Sequence, residues 1–175
     1  MHTSCSNLWE NTHSGILPNF NDKEAIMPHV TIYSDGSFKK TYNAGGWACM
    51  LVCGPYWKVL AAGEKEITVN RAELTAVLKA LEELNCPCSV DIFSDSMYTV
   101  NCINKWIQVW ESNNWMSQAG EPIANQDLLF KIKDLMYIHQ VKAHWVKAHT
   151  RRRGEKYLGN AVVDAFAQMG STGKF

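Results

Sequence analysis

Apolar residues recur in two rhythms along the chain. Three short runs rich in β-branched and aromatic residues come first, at residues 30–34, 47–53 and 56–64, separated by Gly45-Gly46 and Gly54-Pro55. Runs of this kind between glycine and proline punctuation predict an antiparallel meander. The period then changes: Leu74, Val77, Leu78 and Leu81 fall at i, i+3, i+4 and i+7, the stripe of an amphipathic helix packed on a sheet. Asn85 and Pro87 end it. Residues 89–93 read as a fourth strand, 96–109 as a helix, 126–136 as another, 140–146 as a fifth strand, and 161–169 as a last helix closed by Gly170. A meander followed by alternating helices and strands predicts an α/β fold, with a five-stranded mixed sheet flanked by helices.

Residues 1–28 keep neither rhythm. They read as an N-terminal extension to a domain at residues 29–175, and Met27 before the first strand reads as an alternative start. The extension has no basic start and no continuous apolar segment, so it is not expected to be a secretory signal. No run reaches the roughly 18 apolar residues of a membrane span, which leads to the expectation of a cytoplasmic protein with no membrane partner and the monomer as default. In that setting the six cysteines are expected to be reduced.

At 175 residues, 46% hydrophobic and 19% charged, the chain can build a core of its own. Lys and Arg number 17 and Asp and Glu also 17, so no global positive field draws in nucleic acid. Any such partner must be held by local patches.

Against that neutral background four carboxylates stand out. Asp35 is expected to end the first strand, where Gly36 lets the backbone turn beside it. Asp95 follows the fourth strand in the same way, Glu73 lies one turn into its helix, and Asp164 lies in the last helix. If the two strands are neighbours, both aspartates emerge at one sheet edge and the helices bring the other acids to it. Oxygen ligands without local His or Cys favour Mg²⁺ or Mn²⁺ over zinc. Two such ions roughly 4 Å apart suit an in-line displacement at phosphorus. Taken singly, each acid reads first as a solvated turn or helix-end residue.

Five motifs in order change that. Tyr33-Ser34-Asp35-Gly36-Ser37, Asn70-Arg71-Ala72-Glu73-Leu74, Phe93-Ser94-Asp95-Ser96-Met97-Tyr98, Trp145-Val146-Lys147-Ala148-His149 and the segment from Asn160 to Asp164 resemble type 1 ribonuclease H across nearly all of residues 29–170. The resemblance implies the ribonuclease H-like fold and endonucleolytic hydrolysis of the RNA strand of RNA·DNA hybrids, leaving 5′-phosphate and 3′-hydroxyl ends. It implies Asp35, Glu73, Asp95 and Asp164 as ligands of two Mg²⁺ ions, with Mn²⁺ as an alternative, and His149 as an aid to proton transfer or product release.

It also implies substrate contacts. Asn70 resembles the family's polar contact in the hybrid's minor groove, where a 2′-hydroxyl marks the RNA strand, and it also reads as a helix cap. Thr68 and Asn125 resemble members of a pocket that grips a DNA phosphate. Trp106 resembles the aromatic lining the DNA-strand channel, although with Trp110 at i+4 it also reads as a packing residue.

The chain departs from the family's pattern in four places. Residues 110–121, where many bacterial members carry a lysine-rich protrusion, hold no Lys or Arg. Glu66 stands at the phosphate pocket's usual arginine, and Thr41 and Val69 replace asparagines. The loop after His149 is long and carries Arg151, Arg152 and Arg153, which read either as a solvated face or as the missing grip on the polyanion, with Lys39 and Lys40 adding to it. Two rivals share the fold: a nucleic-acid-binding module that does not cut, and a metal-dependent phosphoester hydrolase acting on other nucleic acids.

Overall fold

The computed structural model describes residues 27–148 and 155–174. Its strands are β1 His29–Lys39, β2 Ala44–Cys53, β3 Tyr56–Lys65, β4 Ser89–Ser94 and β5 Gln140–Trp145. They form one sheet in the order β3-β2-β1-β4-β5. The first three are antiparallel neighbours, as the glycine-punctuated runs require, and β4 and β5 add in parallel on the far side of β1. The helices are α1 Val69–Glu82, α2 Met97–Asn101, α3 Ile107–Ser112, α4 Gln126–Ile138 and α5 Glu155–Ser171, with a π-helical turn at Cys102–Trp106 joining α2 to α3.

Side chains alternate across a strand, and here each face has its own cover. Val30 and Ile32 of β1, Cys49 and Leu51 of β2, and Val90 and Ile92 of β4 share a core with Leu74, Val77, Leu78 and Leu81 of α1. Burial of each of those α1 side chains stabilises the fold by about 1.5–3 kcal/mol. On the opposite face Tyr33 and Ala48 pack with Val163 and Ala167 of α5. The sheet is thus held between α1 and α5, the two helices that carry Glu73 and Asp164.

β1 runs past the expected residues 30–34. Asp35 pairs with Ala48 and Gly36 with Trp47 inside the strand, so Gly36 makes no turn. A Cβ on Gly36 would stand 2.5 Å from the backbone nitrogen of Glu73 and 2.9 Å from the carbonyl carbon of Ala72. Glycine is required there because α1 crosses β1 at backbone distance. What does end at this level is the ladder to β4, whose last pair is Tyr33 with Phe93. Beyond it β1 and β4 part, and a crevice opens between them.

α5 starts at Glu155 rather than near residue 161 and continues through Gly170 to Ser171. A Cβ on Gly170 would meet the Ala62 carbonyl oxygen at 2.6 Å and the Gly46 Cα at 3.0 Å, and side chains at Gly46 or Gly63 would strike the α5 backbone. Gly170 therefore seats the helix on β2 and β3 instead of closing it. In the π-helical turn, Asn104 donates to the Ala143 carbonyl at 2.8 Å and accepts from the Ala143 N–H at 3.0 Å. That pairing covers part of the free edge of β5.

Cys49, Cys86, Cys88 and Cys102 are free thiols, whereas Cys53 is disulfide-bonded, a correction to the expectation of six reduced cysteines. Among the described residues no helix is long and apolar enough to cross a membrane.

Candidate active site

Asp35 lies on the sheet face that α5 covers, two residues beyond Tyr33. Glu73 reaches it from α1, whose start is fixed by Thr68: the Thr68 hydroxyl accepts from the Arg71 N–H at 3.2 Å. Asp95 follows β4 and is held from two elements. Its carbonyl accepts from the Trp145 indole N–H at 3.0 Å, and its Oδ2 from Asn160 Nδ2 at 3.3 Å. One carboxylate oxygen from each of Asp35, Glu73 and Asp95 lies within 4.8 Å of the others. Asp164 lines the same cleft, of about 380 Å³.

Asp35 and Glu73 are each 5% exposed, and burial sets their acidity. The Asp35 carboxyl is pushed up to about 8, first by burial, then by the charges of Asp95 and Asp164. Glu73 is held well above the usual carboxylate range by burial and then by Asp35 and Asp95, while the Gly36 amide and Ser94 hydroxyl pull the other way. Its Oε2 is buried with no hydrogen-bond partner. Carboxylates this close cannot all ionise without a compensating cation, and an orphaned buried acceptor is costly. Oxygen donors without imidazole or thiolate in the described cluster suit a hard divalent cation. The residues fit one.

The other expected residues are distributed around this cluster. Asn70 lines the cleft beside Glu73, and the helix cap is Thr68 rather than Asn70. Thr68 and Asn125 are joined through Arg71, whose Nη1 donates to Asn125 Oδ1 at 3.5 Å and whose fork closes on Asp127 at 2.9 and 2.5 Å. Asn125 sits in the left-handed region at φ 61°, just before α4. Trp106 is half-buried, with its ring 5.9 Å from that of Tyr98 and 5.6 Å from that of Trp110. Glu66 is exposed, at φ 57° in the turn before α1. His149, Arg151, Arg152 and Arg153 lie outside the described residues.

Sequence reasoning missed two residues of the cleft, Phe38 and Gln168. Gln168 Nε2 donates to Asp164 Oδ1 at 2.7 Å. The signal for it was a spacing, since Asn160, Asp164 and Gln168 stand four residues apart. Lys39 is the one cation among the described residues of the cleft wall.

A model of the RNase H family matches residues 27–172. The chain is 40% identical over 144 residues to the Ribonuclease H of Cupriavidus metallidurans, covering 82% of this chain and 96% of that one. Among solved structures it superposes on LC9-RNase H1, a type 1 RNase H with the type 2 active-site motif, at TM-score 0.73 and 21% identity, over 87% of this chain and 76% of the other. A foamy viral protease-reverse transcriptase in complex with an RNA/DNA hybrid superposes at TM-score 0.69 and 19% identity, over 90% of this chain and 22% of the viral one. At those identities the solved structures speak for the fold.

Proposed function

The chain belongs to the ribonuclease H family, and on that footing we propose that it is an endonuclease hydrolysing the RNA strand of RNA·DNA hybrids by metal-dependent phosphodiester cleavage, with 5′-phosphate and 3′-hydroxyl products. The observation that carries the metal dependence is the convergence of Asp35, Glu73 and Asp95, with Asp164 on the same cleft. These four would hold two Mg²⁺ ions, or Mn²⁺ in their place, which when bound supply electrostatic stabilisation to the attacking and leaving oxygens of the displacement.

The chain's own residues do the rest. The proton held on the raised Asp35 carboxyl must leave before the site takes a cation. Asn70, at the cleft wall, reads the hybrid's minor groove, where the 2′-hydroxyl distinguishes RNA from DNA. Thr68 and Asn125 grip a DNA phosphate, with Arg71 orienting Asn125. Trp106 lines the path of the DNA strand. Lys39 and the residues Arg151, Arg152 and Arg153 attract the backbone without reading its sequence, and His149 moves a proton or helps the product leave. Residues 29–175 are the catalytic unit, residues 1–28 take no part in substrate binding, and the protein acts as a cytoplasmic monomer.

Labelled RNA·DNA, RNA·RNA, DNA·DNA and single strands incubated with Mg²⁺, Mn²⁺ or EDTA test this on one gel. Cleavage confined to the RNA of the hybrid, absent in EDTA, is the expected result. Activity that survives EDTA, or equal cleavage of single strands, overturns it.

A further inference from the structure

Asn160, Asp164 and Gln168, spaced by four, lie on one face of α5, and that face meets the acids. Asn160 is 4% exposed. Its Nδ2 donates to Asp95 Oδ2 at 3.3 Å, while its own Oδ1 is buried with no hydrogen-bond partner. Gln168 lines the cleft and donates to Asp164 Oδ1 at 2.7 Å. A buried amide whose carbonyl is left orphaned is kept at a cost to stability. What it does for Asp95 must outweigh that.

The chemistry of the amide explains the choice. Lys or Arg would orient a carboxylate but also neutralise it. Asp or Glu would add to the repulsion that already raises Asp35. An amide N–H fixes one carboxylate oxygen and leaves the charge and the remaining lone pairs to a cation. Asn160 also joins α5 to the residue that follows β4, so the third and fourth acids are oriented by the same helix face.

We propose that Asn160 and Gln168 are positioning residues. They hold the Asp95 and Asp164 carboxylates in the orientation that receives the divalent cation, and thereby set metal affinity rather than affinity for the hybrid. This rests on the reading of the four acids as a metal site.

The test measures Mg²⁺ binding to the full chain by titration calorimetry, and by melting temperature against Mg²⁺ concentration, alongside hybrid KM and kcat. The variants are Asn160→Ala and Gln168→Ala. Gln168 is exposed, so its replacement keeps the test decisive even if Asn160→Ala fails to fold. The Mg²⁺ dissociation constant is expected to rise about tenfold in each variant. Hybrid KM at saturating Mg²⁺ stays at the parent value, and kcat recovers as Mg²⁺ is raised. An unchanged Mg²⁺ constant in Gln168→Ala overturns the proposal, as does a raised hybrid KM with unchanged metal binding. A parent protein that cleaves no hybrid would sink the functional reading alone, because calorimetry still decides the role of the amides. A parent that binds no Mg²⁺ sinks both.

Discussion

Gly36 and Glu73 meet backbone to backbone, at a distance that leaves no room for a β-carbon on Gly36. The contact sets how near Glu73 comes to Asp35, and its removal should therefore damage both stability and chemistry. Gly36→Ala is expected to destabilise the protein by about 1–3 kcal/mol, the usual effect of overpacking. Hybrid cleavage should fall by about a hundredfold, as misplacement of a reacting group by 1 Å does. Melting curves and single-turnover rates on the same preparation check it. A folded Gly36→Ala protein with parent activity would contradict the role given to this crossing.

Asp35 costs the metal-free protein stability as pH rises from acid towards 8. Its carboxyl is raised from 3.8 to about 8, so between those values the folded state binds more protons than the unfolded one, and stability falls as pH rises through that window. Asp35→Asn should abolish hybrid cleavage and yet melt higher than the parent in EDTA at pH 8, with the difference vanishing towards pH 4. Each kcal/mol appears as about 2–4 °C in a domain of this size. Mg²⁺ should stabilise the parent and leave the variant unmoved. A variant that melts no higher than the parent at pH 8 refutes the electrostatic strain.

Lys39 should matter through salt. Replacement by Gln removes the one cation described in the cleft wall. If that ammonium meets one phosphate, the log–log slope of hybrid affinity against salt becomes shallower by about 0.9. Hybrid KM rises at low ionic strength while kcat holds. Binding isotherms at several salt concentrations measure the slope, and an identical slope places Lys39 away from the backbone.

Arg71 separates substrate grip from stability. Its ion pair with Asp127 is largely exposed, at 37% and 58%, and such pairs contribute under about 1 kcal/mol. Arg71→Ala should thus barely shift the melting temperature. Loss of its bond to Asn125 should raise KM for the hybrid with kcat unchanged. A large drop in melting temperature with unaltered KM would reverse that assignment.

Asp91 contributes to the loss of stability in acid. Its carboxylate accepts from His29 at 2.8 Å and from His144 at 2.5 Å, and these bonds, His29 first, hold its pKa below the usual range against opposing burial. A depressed carboxylate stabilises the fold above its unfolded pKa, near 3.9, and that contribution is lost as pH falls through the lowered value. Asp91→Asn should flatten the fall in melting temperature below pH 4 and leave catalysis at neutral pH intact. An acid limb as steep as the parent's speaks against the His-Asp-His bridge.

Local signals carried much of the fold. The stripe of Leu74, Val77, Leu78 and Leu81 and the punctuation at Gly45-Gly46 and Gly54-Pro55 report on neighbours a few residues away, and the elements they announce are present. Contacts between distant segments left no such trace. Gly36 reads as a turn until Glu73 is seen against it, and Gly170 reads as a helix stop until Ala62 and Gly46 are seen beneath it. The acids were visible as members of motifs. Their partners were not, because an amide at Asn160 or Gln168 acquires meaning only from the carboxylate it touches. Arg71 stood inside a quoted motif, and nothing local tied it to Asn125.

The glycines at 46, 63 and 170 give helix α5 a fulcrum. Where it crosses β2 and β3 no side chain cushions the two backbones, and Asp164 rides the same rod six residues away, roughly 9 Å along the axis at 1.5 Å per residue. Repacking of the surrounding core, by drift or by design, cannot tilt a rod pinned main chain to main chain. A single methyl wedge at the pivot can, and it would swing the fourth carboxylate without touching it.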